Sequence, residues 1–288
     1  TPNRGDCLSI RGVAREIAAV CDLGLTEPFH RRPPAPLGAG RVPIRIQAAD
    51  GCPLYTGIEV RDVRVGPSPA WLVARLRACG LRPINNVVDV TNYLLWECGQ
   101  PLHAFDADLL TGPEIAVARA GEERSFETLD GQTRKLEAHD LVIRDRSGAV
   151  ALAGVMGGAR TAVRDTTRNL FLESAIFAPS TVRATSRRLG LISDSSYRFE
   201  RGVDPAGVET TLVRAALLIA EIAGGRVEGG VCRGGVGTPS RAAIGLRPAR
   251  IAALLGAEVS PEEASRLLRR LGAEVAASAD GSLSVTVP

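Results

Sequence analysis

The sequence predicts an α+β fold with more than one module, on three observations. Short apolar strands punctuated by Asp-Gly and Ser-Gly turns lie between segments of helical periodicity. Two stretches rich in proline and glycine, around 30–40 and 224–239, interrupt the pattern. The 288 residues, 45% hydrophobic and 23% charged, leave room for about two globular domains and exclude wholesale disorder.

From the N-terminus, Ile10, Val13, Ile17 and Val20 recur at helical spacing, so 7–23 is predicted as an amphipathic helix stopped by Gly24. The run His30-Arg31-Arg32-Pro33-Pro34-Ala35-Pro36-Leu37-Gly38-Ala39-Gly40 cannot continue a helix, because proline removes a donor and glycine favours turns. It is expected to be a linker that marks a domain boundary. Tyr55–Val65 reads as a strand. Ser68 is expected to cap a helix that Pro69 opens and Gly80 ends.

Residues 86–98 carry Val87, Val90, Leu94 and Cys98 at helical spacing before Gly99. Two hairpins follow, one turning at Asp130-Gly131 and one at Ser147-Gly148. Asn169–Ala175 is a further strand, and 180–189 and 206–223 are helices. Together 37–238 form a central mixed sheet-and-helix module. Beyond the glycines of 224–235, residues 239–288 are expected to begin a small helical module, incomplete because so short a segment buries little core. It holds helices at Pro248–Leu255 and Pro261–Leu271, the second capped by Ser260, and a hairpin at Asp280-Gly281.

The composition also excludes function classes. No stretch of about 18 apolar residues is present to span a membrane. Thr1–Asp6 has neither an initiator methionine nor a secretory leader, so the chain is expected to be a piece of a longer one. A net charge of +3 leaves no strong footprint for nucleic acid. Lys135 is the only lysine among 35 Lys and Arg, a mark of GC-rich coding. Six dispersed cysteines without a CxxC pair argue against zinc or a disulfide framework and for a cytoplasmic chain. The GxxxxGK[ST], GxSxG, HExxH and EF-hand patterns are all missing.

Four segments stand out. They are Ile84-Asn85-Asn86-Val87-Val88-Asp89-Val90-Thr91-Asn92-Tyr93 running into Gly99-Gln100-Pro101-Leu102-His103-Ala104-Phe105-Asp106, then Gly154-Val155-Met156-Gly157-Gly158, then Asn169-Leu170-Phe171-Leu172-Glu173-Ser174-Ala175, and Gly190-Leu191-Ile192-Ser193-Asp194-Ser195-Ser196-Tyr197-Arg198-Phe199-Glu200-Arg201-Gly202-Val203-Asp204-Pro205. With the opening Thr1–Ser9 they resemble the beta subunit of bacterial phenylalanyl-tRNA synthetase, in that family's order over nearly the whole chain. The resemblance implies a fragment in which 1–36 is the end of an N-terminal module and linker, 37–238 the tRNA-deacylating editing module, and 239–288 the start of a small helical module of DNA-binding-like fold. It implies an alpha subunit as partner, in a heterotetramer of two alpha and two beta subunits, with tRNA(Phe) bound and tyrosine as the editing ligand. ATP and Mg2+ are implied for the whole synthetase and no cofactor for this fragment.

Such an enzyme needs editing for a physical reason. An apolar pocket rejects an isostere that adds a hydroxyl only about 10²-fold, whereas a buried group that bonds the hydroxyl rejects the analogue lacking it by roughly 10⁴–10⁵. A second pocket should therefore hold one polar residue deep among apolar ones.

The resemblance assigns that role to Glu173, in a run of residues that belong in a core; by spacing alone it reads as a strand-edge glutamate or one paired to a nearby arginine. His103 matches the family's editing-site histidine, to orient the attacking water or terminal ribose, or to act as a base. Gly157 matches a glycine of the pocket wall, whose amide would polarise the ester carbonyl. Ser193 and Ser195 match positions where better-known members carry threonine and alanine, so one keeps a hydroxyl and the other adds one. Arg183 and Arg187, one helical turn apart, are candidates for phosphates near a tRNA 3′ end. Those two serines leave a second reading open, a non-catalytic scaffold of the same subunit that docks tRNA.

Overall fold

The computed structural model describes residues 3–25, 37–237, 241–278 and 280–288. The chain divides into two compact units, Thr1–Arg11 with His30–Thr238 and Gly12–Phe29 with Pro239–Pro288.

The larger unit is built around a central strand. β10 (Leu170–Ile176) pairs antiparallel with β2 (Leu54–Arg61) on one side and β3 (Leu102–Asp106) on the other, and β11 (Arg226–Gly235) closes the far edge of β2. A strand flanked on both sides and buried on both faces reads as a continuous apolar run, which is what Leu170-Phe171-Leu172 is. Side chains alternate across it. Leu170 and Leu172, with Ile58 and Val60 of β2, face α2 (Ala70–Ala78), α3 (Asn86–Cys98) and α6 (Gly207–Ala223). Phe171, Glu173 and Ala175 face the other way.

That second face packs on a five-stranded sheet ordered β1-β4-β7-β8-β9: β1 (Ile44–Ile46), β4 (Ile115–Arg119), β7 (Leu141–Asp145), β8 (Gly148–Leu152) and β9 (Met156–Gly157). Within it β1 and β4 pair parallel, and the other described neighbours pair antiparallel. The hairpin β5 (Ser125–Glu127) and β6 (Thr133–Lys135) forms a small sheet of its own. Helices α4 (Pro179–Leu189) and α5 (Asp194–Phe199) follow β10, with Phe177, Val182 and Phe199 sealing the edge of this core. Gly131 (φ 73°) makes the predicted first hairpin turn.

Several local expectations are corrected. The segment 7–23 is a 3-10 turn, Gly5–Leu8, then a break at Ser9, then α1 (Ile10–Cys21). Its apolar stripe is exposed, Val20 at 79%, while Gly12 and Ala19 are the residues it buries. Ser68 does not cap α2: Pro69 holds the cap position, and the Ser68 hydroxyl donates to the buried Asp89 carboxylate at 2.6 Å. The glycine-rich stretch after 224 is mostly strand β11, because its glycines admit close neighbours. A Cβ on Gly234 would stand 2.5 Å from Ile44 Cγ2, and one on Gly230 would strike the carbonyl of Gly38. Helix α5 had no periodicity long enough to announce it. The linker at 30–36, with His30, lies outside the described residues.

In the smaller unit a three-stranded antiparallel sheet, β12 (Ile244–Leu246), β14 (Leu283–Thr286) and β13 (Glu274–Ala277), accompanies α7 (Pro248–Leu255) and α8 (Pro261–Arg270). This unit is thus mixed rather than purely helical. Ser260 caps α8 at the Glu263 amide, 3.2 Å, and Ala264, Ala273, Leu283 and Val285 form its core.

Candidate functional site

The register of three strands assembles the site. On β10, Glu173 sits directly opposite His103 of β3 and opposite Gly57 of β2. The His103 and Glu173 side chains point toward the five-stranded sheet. There the turn from β8 to β9 and the first residues of α5 leave a recess lined by His103, Glu173, Val155, Gly157, Ser195 and Phe199 among others. Its volume is about 60 Å³, a small recess beside the roughly 300–1,000 Å³ of drug-sized ligand pockets.

Glu173 is 6% exposed. The Tyr55 hydroxyl donates to its Oε2 at 2.9 Å, with both side chains buried. Burial pushes the Glu173 carboxyl up to about 8, against a smaller opposing effect of the Tyr55 hydrogen bond. The carboxyl is therefore mostly neutral at pH 7, a donor and an acceptor at once. No arginine pairs with it among the described residues. Burial likewise drives Tyr55 well above the usual phenol range, so its proton stays on.

His103 stands beside Phe105, edge to face, with centroids 4.4 Å apart. Burial lowers its imidazole to about 4, so the ring is uncharged near neutrality. Its Nε2 is buried and, among the described residues, has no hydrogen-bond partner. Such an orphan inside a recess is costly unless something arrives to bond it. Gly157 makes room for the ring: a Cβ there would stand 2.6 Å from Nε2.

The two serines separate. Ser195 lines the recess. Ser193 supports the wall from behind: it caps α5 in a reciprocal box with Ser196, and its hydroxyl donates to the Val155 carbonyl at 2.8 Å. Arg183 and Arg187 lie one turn apart on α4, away from the recess lining; Arg183 approaches Glu200 at 3.9 Å, and Arg187 is exposed. His139 is an exposed residue near Glu137. Sequence reasoning passed over Tyr55 and Gly57. A tyrosine inside an apolar central strand with glycine two residues on was the available signal, since glycine within a strand marks a close approach. Here the Phe171 ring fills the space where a Gly57 side chain would be.

Comparison with known proteins agrees with this architecture. The B3/4 domain family matches residues 51–224, and the tRNA synthetase B5 domain matches 244–288. The second is a tRNA synthetase module by its description. The phenylalanine--tRNA ligase beta subunit of Oleidesulfovibrio alaskensis is 49% identical over 100% of this chain and 36% of its own length; that of Geobacter sulfurreducens is 50% identical with the same shares. The chain belongs to the family of bacterial phenylalanine–tRNA ligase beta subunits. It spans about a third of the length of these relatives. An N-terminal fragment of the beta subunit from Pyrococcus horikoshii matches at 17% identity and TM-score 0.44, over 100% of this chain and 79% of that one, too distant to bear on the site. Among the described residues, no helix is long and apolar enough to cross a membrane.

Proposed function

We propose that this chain carries the editing site of a phenylalanine–tRNA ligase and hydrolyses the ester of tRNA(Phe) mischarged with tyrosine. The observation that carries this reading is the presence, within one recess, of a buried carboxyl and of an imidazole nitrogen that lacks a hydrogen-bond partner among the described residues. Glu173 hydrogen-bonds the tyrosine phenol. A phenylalanine in the same place leaves that buried group unpaired, at roughly 1–3 kcal/mol.

The chemistry is attack of water on the ester carbonyl carbon. The bond to the ribose oxygen breaks, tyrosine leaves, and the terminal ribose recovers its hydroxyl with a proton from the water. An imidazole at about 4 is a weak base near neutrality, so His103 acts by holding that water or the ribose hydroxyl at Nε2. No activated protein nucleophile lines the recess, so positioning supplies the rate. Gly157 leaves room for the His103 ring, its amide polarises the ester carbonyl, and Ser195 lines the recess beside the bound aminoacyl group. Arg183 and Arg187 of α4 meet phosphates of the tRNA acceptor end, with the alpha subunit completing the synthetase.

ATP and Mg2+ serve that complete synthetase. The recess does not fit either: Glu173 is its one acidic lining residue, buried and mostly neutral, with no second carboxylate beside it.

The test is deacylation of Tyr-tRNA(Phe) by the full-length subunit assembled with its partner, with His103→Ala and Glu173→Ala alongside. Loss of hydrolysis in the first and of tyrosine preference in the second is expected. Wild-type hydrolysis and preference in both would leave the scaffold reading standing.

A further inference from the structure

One hydrogen bond in the recess has no role in the reaction as described. Tyr55 is fully buried, with 0% exposure, so no ligand reaches it. Yet its hydroxyl, 118 residues away in sequence, is the hydrogen-bond partner that the Glu173 carboxyl has among the described residues.

The backbone explains how it gets there. Tyr55 lies opposite Ala175, and Glu173 lies opposite Gly57, so the two are diagonal neighbours across β2 and β10. Diagonal pairs sit about 7–8 Å apart, within reach of an aromatic side chain. The direct neighbour of Glu173 on β2 is a glycine, which adds no side chain of its own there.

Building on the editing reading, we propose that Tyr55 is the positioning residue for Glu173: by donating to Oε2 it makes that oxygen the carbonyl of a neutral carboxyl and leaves the acid O–H on Oε1, aimed at the phenol of a bound tyrosine. A neutral carboxyl has one donor and one carbonyl oxygen. A phenol that donates selects the carbonyl oxygen as its acceptor, because the acid O–H is the poorer one. The terminal torsion of glutamate is broad and twofold, so without such an anchor the two oxygens exchange places freely. Tyr55 fixes both the plane of the carboxyl and the oxygen that bears the proton. Glu173 then offers the ligand one donor in one direction, and phenylalanine has nothing to meet it. The burial that keeps Glu173 protonated near neutrality agrees with this assignment.

The experiment uses the full-length subunit in its assembled synthetase, with tRNA(Phe) carrying tyrosine or phenylalanine, and reads kcat and KM for each. Tyr55→Phe removes the hydroxyl and keeps the ring. Its tyrosine-over-phenylalanine preference is expected to fall about 10-fold, the worth of one buried hydrogen bond, through the tyrosine arm alone. Glu173→Gln keeps an acceptor for Tyr55 and a donor for the ligand, and is expected to retain most of the preference that Glu173→Ala loses. A Tyr55→Phe enzyme with the wild-type ratio overturns the proposal, as does an equal loss on both substrates, which would mark a structural role only. A Glu173→Gln enzyme as unselective as Glu173→Ala overturns the neutral-donor assignment. If Glu173→Ala itself keeps full preference, the editing reading of this site fails, whatever Tyr55 does.

Discussion

Gly157 and His103 occupy one space: a methyl on Gly157 would stand 2.3 Å from the His103 Cε1 atom. No real Cβ tolerates that approach to a ring held edge-on against Phe105. The glycine of the wall and the imidazole of the sheet are therefore a matched pair, each shaped by the other.

Gly157→Ala should thus disable the site without touching its polar groups. The His103 ring must shift, and a misplacement on the order of 1 Å costs about 10²-fold in rate. Deacylation of Tyr-tRNA(Phe) by the assembled synthetase is expected to fall by about that factor while aminoacylation is kept. Equal rates for the variant and the parent would show that His103 has no positional demand.

Glu173 and His103 should leave opposite marks on stability against pH. The carboxyl binds its proton more tightly when folded, at about 8 against an ordinary 4.5, so it contributes stability below about 4.5 that is lost as pH rises toward 8. Each fully titrating group changes the folding free energy by about 1.4 kcal/mol per pH unit. Glu173→Gln should therefore remove a falling slope across pH 4.5–8. Urea midpoints at successive pH values test this, and parallel curves for variant and parent would contradict it.

The imidazole behaves the other way. It binds its proton less tightly when folded, at about 4 against 6.5, so its contribution is complete above 6.5 and is lost as pH falls toward 4. His103→Asn should remove a rising slope over that window. Between about 4.5 and 6.5 the two groups oppose each other in the parent chain. Each single variant should then show a steeper dependence there than the parent, of opposite sign, in the same urea series.

Gly57→Ala should damage the core under the site. A Cβ at Gly57 would stand 2.1 Å from Phe171 Cζ, and Phe171 is 1% exposed with no free space to enter. Overpacking of this kind costs about 1–3 kcal/mol. Chemical denaturation is expected to report that loss, together with a weaker tyrosine preference, because the displaced Phe171 ring lies on the strand face that carries Glu173. An unchanged midpoint would mean the strand relaxes around the methyl.

Much of this molecule was legible from residue order. The helix Asn86–Cys98, with Asn85 capping it and Gly99 in the left-handed conformation at its end, follows from signals that act within four residues. So do the hairpins at Gly131 and Gly148, and the central strand from Leu170. These are local interactions, and local sequence specifies them. The family words around His103, Gly157 and Glu173 marked three residues that the fold does gather into one recess.

The tertiary structure decided everything that depends on register between strands distant in sequence. It set Glu173 beside His103 and Gly57, brought in Tyr55, sent the Ser193 hydroxyl to Val155 and left Ser195 on the lining. It also turned a glycine-rich run into strand β11 by pressing neighbours against bare backbone. Periodicity reports which face of a strand is buried. Which strand lies alongside, and at what offset, is settled only when two sheets and three helices pack at once.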